Sequence, residues 1–211
     1  PISKYAREVW EFVNLYSKWR GINRFVGVVK AFELLAEREE VISRGFKIPD
    51  YQALKNWVEV ETKLTNSVLA EEVKKNPDDI LQKALDWSIA SNEAIADMVH
   101  GIPPFPYVKE SLEKVSKQAD TLVVSAASHD ALTREWGEHG IDKYMKFMAG
   151  QEIGTKKEHL KYAKTGKYSD ENVLMIGDAL GDMKAAKDNN ALFYPIIPGE
   201  EEASWKKLFE E

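Results

Sequence analysis

The sequence predicts an α/β fold: a parallel sheet with helical crossovers over residues 103–211, preceded by an all-α domain over residues 1–102. Three observations carry this expectation. Apolar residues in the first hundred positions recur almost wholly at helical spacing. Beyond them, short apolar runs alternate with amphipathic stretches, the pattern of strands joined by crossover helices. Between the two regions lies Pro103-Pro104-Phe105-Pro106, whose prolines end a helix and stiffen a linker.

In chain order, Val9, Trp10, Phe12, Val13, Leu15, Tyr16 and Trp19 give a helix from Tyr5 to Trp19, interrupted by Gly21. A second helix covers Phe25 to Arg38 and buries Phe25, Val28, Val29, Phe32, Leu35 and Ala36. Gly45 and Pro49 mark a break, and Asp50 caps a third helix over Tyr51 to Val60. A short fourth starts at Thr65 or Asn66, and Pro77-Asp78-Asp79 opens a fifth through Ile80, Ala84, Trp87 and Ile95. After the prolines, strands are expected near 121–125, 146–149, 172–176 and 191–194. Helices are expected over 108–118, 128–136, 156–163, 180–187 and 200–209.

Composition narrows the function classes. The 211 residues are 44% hydrophobic and 30% charged, enough to bury a core and keep a polar surface. A net charge of -6 argues against nucleic acid as a partner, since that footprint needs clustered positive charge. The absence of cysteine rules out disulfides and thiolate sites and is compatible with a reducing compartment. No apolar run is long enough to span a bilayer and no signal-peptide pattern is present, so the expected location is cytoplasmic, with no membrane partner. The chain opens on Pro1 rather than Met, which reads either as Met removal or as a lost N-terminal segment.

Chemistry concentrates in the second half. In Val173-Leu174-Met175-Ile176-Gly177-Asp178-Ala179-Leu180-Gly181-Asp182, an apolar run stops at a glycine and two aspartates follow. Two carboxylates at the carboxyl end of a parallel strand suit Mg²⁺, a hard cation that prefers oxygen. The plainer alternative is that Asp178 caps the next helix and Asp182 sits in its first turn. Ser125 ends the strand Leu122–Val124, where a hydroxyl and the following backbone N–H groups can bind a phosphate oxygen; a turn serine is the competing reading. Lys156 and Lys157 open a helix, where the dipole disfavours cations, and Lys156 follows the loop directly. Either lysine can neutralise a phosphate, or both are solvated surface residues. His100, His129, His139 and His159 have no metal-ligand spacing and read as structural or surface residues. Arg20 and Arg24 are possible contacts for an anionic substrate, with solvated arginines as the default.

Taken in order, these residues resemble the haloacid dehalogenase superfamily. Leu122-Val123-Val124-Ser125 resembles its second motif, Lys156 or Lys157 its third, and Gly177-Asp178-Ala179-Leu180-Gly181-Asp182 its fourth, G-D-x-x-x-D. The resemblance implies a Rossmann-like parallel sheet core and makes the helical first half an α-helical cap domain. It implies a Mg²⁺-dependent phosphatase acting on a small phosphorylated metabolite through an aspartyl-phosphate. By the same resemblance, Ser125 and the backbone of Ala126 hold phosphate with Lys156, and Asp178 and Asp182 bind Mg²⁺ directly or through water.

The resemblance also implies a first motif, D-x-D-x-T, after a central first strand. No D-x-D follows an apolar strand in this sequence; Asp50, Asp78-Asp79 and His129-Asp130 all lie at helix starts or in loops. Removing the family's central strand leaves a gap of about 10 Å between its neighbours, twice the ordinary strand spacing. The expectation is therefore a fragment lacking roughly 20–30 N-terminal residues, inactive by itself, with that missing segment as a partner. The alternatives are a non-catalytic binding protein with this fold, a phosphonatase using a cap lysine such as Lys47 or Lys55, or a sugar-phosphate mutase.

Overall fold

In the computed structural model, which describes residues 2–211, the chain divides into two compact units, the first ending at Val99 and the second spanning His100–Glu211. Pro1, where an expected lost segment would join, lies outside the described residues.

The first unit is all helix: α1 (Ser3–Glu11), a π-helical turn (Phe12–Tyr16), α2 (Arg24–Glu37), α3 (Glu39–Ile42), α4 (Gln52–Val60), α5 (Asn66–Lys75) and α6 (Asp79–Met98). The helix expected from Tyr5 to Trp19 therefore ends earlier than its apolar stripe. Side chains compete with the backbone there: Asn14 donates to the Trp10 carbonyl at 2.8 Å and Ser17 to that of Val13 at 2.8 Å. Helix α3, too short to show a period, is an addition to the expected elements. Caps fall where turn chemistry puts them, with Thr65 accepting from Val68 N and Asp78 from Ile80 N. Helix α2 is the centre of this unit. It sends Phe25 and Val29 into a cluster with Leu54, Trp57, Leu69 and Leu81, and Ala31 and Leu35 into another with Val9, Val13 and Val41. Phe25 meets Trp57 edge-on at 5.3 Å.

The second unit alternates helix and strand: α7 (Val108–Val115), β1 (Leu122–Val124), α8 (His129–Glu138), β2 (Phe147–Ala149), α9 (Lys156–Lys164), β3 (Leu174–Gly177), α10 (Leu180–Asp188), β4 (Leu192–Pro195) and α11 (Glu201–Glu210). All pairing is parallel, as the alternation requires, but the four strands do not form one sheet. β1 pairs with β2, Val123 opposite Met148, and β3 pairs with β4, Met175 opposite Phe193. Periodicity identifies strands and says nothing of which neighbours they take, so the single sheet was beyond what the pattern specifies. The two pairs still share a core: Val124 of β1 packs with Met175 of β3 against Leu160 of α9 and Ala186 of α10.

At the amino end of β1, Asp120 accepts hydrogen bonds from Lys146, Lys167 and Tyr168. Those partners, Lys146 first, hold its carboxyl well below the usual carboxylate range.

His159 of α9 is 5% exposed, and neither ring nitrogen has a hydrogen-bond partner. Burial lowers its pKa from the ordinary 6.5, so the folded chain holds it neutral. A depressed folded pKa gives stability that is complete above the unfolded value and declines as pH falls below it. Thermal melts at stepped pH should show the second unit losing stability below about pH 6.5. The His159→Leu variant should lose less over the same interval; an identical slope would assign the effect to other groups.

Candidate functional site

Two loops follow strand ends in the second unit. After β1, the Ser125 N–H donates to the Ala149 carbonyl at 2.9 Å, extending the pairing by one residue. The Ser125 hydroxyl oxygen accepts from Ala127 N at 3.0 Å, which closes a tight turn over Ala126, and Ser128 caps α8 through Ala131 N. The turn reading of Ser125 is thus present in the structure. Its hydroxyl proton and its second lone pair remain available to an oxyanion.

After β3, Gly177 leads to Asp178, which is exposed, and to Asp182, which is 2% exposed. Asp182 reaches back over its own helix start, and its Oδ2 accepts from Ala179 N at 3.1 Å. That is a capping contact, and it is made by Asp182 rather than by Asp178. Its other oxygen, Oδ1, lies 2.5 Å from Lys156 Nζ. Lys156 is the first residue of α9, whose start is fixed by a capping box between Thr155 and Glu158. A lysine is disfavoured at that end of a helix; the buried carboxylate it meets offsets the penalty. Lys157 turns elsewhere and pairs with Asp188 at 3.0 Å, with its side chain largely exposed. Of the two lysines, then, Lys156 is the one that meets Asp182.

Gly177 is a residue the spacing argument undervalues. A Cβ built there would lie 2.4 Å from Asp182 Cβ and 2.6 Å from its Cγ. Glycine lets the strand end and the carboxylate occupy the same narrow space. The helical pattern gives no warning of this, because the contact joins a strand to the following turn. The contact of Glu152 with His129 N, through both carboxylate oxygens at 3.3 and 3.1 Å, is equally silent in the sequence.

Arg20 and Arg24 belong to the first unit. Arg20 donates to the Leu15 carbonyl at 3.2 Å, and Arg24 is bound to Ser88 and Asn92.

The donor set can be weighed against a Mg²⁺ ion. Among the described residues no group of three or more His, Cys, Asp or Glu side chains could hold a metal. Mg²⁺ does not need such a cage, since it keeps several waters and takes one or two carboxylates. An exposed Asp178, with Asp182 four residues on, is consistent with that mode.

No curated protein and no solved structure matches the chain significantly. The model of the haloacid dehalogenase-like hydrolases matches residues 22–194, a span that takes in Ser125, Lys156, Asp178 and Asp182. Short strands paired in parallel and joined through helices, a strand-end serine, a lysine at a helix start and a G-D-x-x-x-D turn agree with that match: this chain belongs to the haloacid dehalogenase-like hydrolase family.

Proposed function

We propose that this chain is the greater part of a Mg²⁺-dependent phosphatase that acts on a small phosphorylated metabolite through an aspartyl-phosphate, with the attacking aspartate outside residues 1–211. The contact of Lys156 with Asp182 carries the reading, because it gathers the third and fourth motifs at one strand end. In this reading Asp178 holds the ion, and Asp182 does so through water while fixing Lys156. Ser125 and the Ala126 backbone hold phosphate oxygens, and Lys156 offsets their charge. The metal supplies charge stabilisation on the phosphoryl oxygens. The helical first unit serves as the cap, with Arg20 and Arg24 as substrate contacts. The expected N-terminal segment is the partner that completes the site.

A phosphonatase route through Lys55 is disfavoured. Its amine lies 2.8 Å from Glu33, which raises its pKa, whereas a Schiff-base lysine needs the opposite shift. A second reading, a binding protein that keeps the fold without catalysis, draws on the engagement of both Asp182 oxygens by the protein itself.

Two measurements on purified chain 1–211 test the proposal. Phosphate release from a panel of phosphomonoesters should stay at background. Mn²⁺, as a paramagnetic stand-in for Mg²⁺, should broaden the amide resonances around Asp178, and Asp178→Asn should abolish the effect. Metal-dependent turnover lost in Asp178→Asn would contradict the missing nucleophile, and an unbroadened Asp178 would contradict the metal site.

A further inference from the structure

The first unit contains a cation with no anion. Arg24 opens α2, so its guanidinium lies near a helix N-terminus, already a positive end. Its Nη1 donates to the Ser88 carbonyl at 3.1 Å, the Ser88 hydroxyl at 3.1 Å and Asn92 Oδ1 at 2.6 Å. All three acceptors are neutral. Among the described residues no carboxylate pairs with Arg24, and its Nε and Nη2 make no hydrogen bond. Burial accordingly pulls its pKa below the ordinary guanidinium value.

The group is held in place from behind. Ser88 is fully buried, and its hydroxyl, while accepting from Arg24, donates to Asn66 Oδ1 at 2.7 Å. The chain Asn66–Ser88–Arg24 thus joins the starts of α5 and α2 to the middle of α6. One nitrogen of the guanidinium is committed to this anchor. The opposite edge, Nε–H beside an Nη2–H, presents two parallel donors, the geometry that takes a planar two-oxygen acceptor. A partly buried cation without a counter-charge has given up hydration that a ligand's charge would offset.

We propose that Arg24 forms an anion subsite for the carboxylate of a small molecule, gripped in bidentate fashion by Nε and Nη2 while Ser88 and Asn92 fix Nη1. A carboxylate fits better than a phosphoryl group because one guanidinium balances one negative charge, and no second cation bonds to the Arg24 anchor residues Ser88 and Asn92. This gives the Arg24 contact of the proposed phosphatase a ligand class. It rests on the first unit alone and stands whether or not Asp178 binds metal.

The test is NMR on ¹⁵N-labelled full chain, following the Arg24 Nε–H resonance during titration with propionate and, separately, with inorganic phosphate. Propionate should give a saturable shift at Arg24, and phosphate there a weaker one or none. Arg24→Lys keeps the charge and loses the paired donors, so it should lose the saturable propionate response at the Trp87 indole, adjacent in sequence to the anchor. Asn92→Ala, at an exposed position, leaves Arg24 in place with a looser hold and should weaken propionate binding about tenfold. Asp178→Asn should bind propionate as the parent does. The subsite is overturned by no saturable shift at Arg24, by tighter binding of phosphate than of propionate there, or by unchanged affinity in Asn92→Ala. If Arg24→Lys misfolds, the Asn92 variant decides alone. A negative Mn²⁺ result at Asp178 has no bearing on these outcomes.

Discussion

Replacing Lys156 with methionine is expected to destabilise the second unit by about 3 kcal/mol at neutral pH, the scale for breaking one side of a buried ion pair. The loss arises less from the missing attraction than from what remains. Asp182 is 2% exposed, and without Lys156 Nζ at 2.5 Å its Oδ1 has lost the cation that balances it. The Ala179 N–H on Oδ2 does not compensate a full charge. Chemical denaturation of the variant and parent at neutral pH measures the gap. Asp182→Asn in the same background should recover most of it, because the amide needs no counter-charge. A gap that Asp182→Asn leaves unchanged would mean that Asp182 does not carry the effect.

Gly177→Ala should be as damaging through sterics alone. The new methyl would lie 2.4–2.6 Å from Asp182 Cβ, Cγ and Oδ2, closer than any stable contact. Either the end of β3 or the first turn of α10 has to move, at a cost of about 3 kcal/mol, the upper range for overpacking. Asp178 is the next residue, so the displacement passes into the proposed metal ligand. Mn²⁺ affinity should fall by roughly 10-fold or more, as it does when supporting groups around a metal are disturbed. Asp182→Gly removes the Cβ as well as the carboxylate, so in the Gly177→Ala background it should relieve the clash and restore part of the lost packing. If Gly177→Ala melts and binds Mn²⁺ like the parent, the strand end is more pliable than its geometry indicates.

Much of this was legible in the sequence because it depends on local pattern. Apart from the short α3, the helices from α2 onward begin within two residues of where caps, prolines and apolar spacing place them, since those signals act over single turns. The first helix ends short of its apolar stripe because Asn14 and Ser17 bond to the carbonyls of Trp10 and Val13, contacts that the spacing of the apolar residues does not show. The choice of Lys156 over Lys157 is a matter of helix phase against a distant partner, and Asp182 is 26 residues away. The same holds for Gly177, whose constraint comes from a side chain in the next turn, and for Arg24, whose neutral surroundings are contributed by α6. Sequence pattern reveals which residues share an element; it does not reveal which elements face each other.

The paired strands carry a consequence for the chain in solution. Each has a single neighbour, so among the described residues every strand is an edge with one row of N–H and C=O groups unshared by strand partners. Leu122, Phe147, Leu174 and Leu192, opposite one another in the two registers, are each more than a third exposed. Apolar edges of this kind are templates for strand-to-strand aggregation between copies. What opposes it here is brevity, three or four residues per strand, together with the exposed ammonium groups of Lys146 and Lys167 acting as gatekeepers beside β1 and β2. The balance between soluble chain and aggregate should therefore be set at those lysines, and removing their charge should lower the concentration at which the protein stays clear.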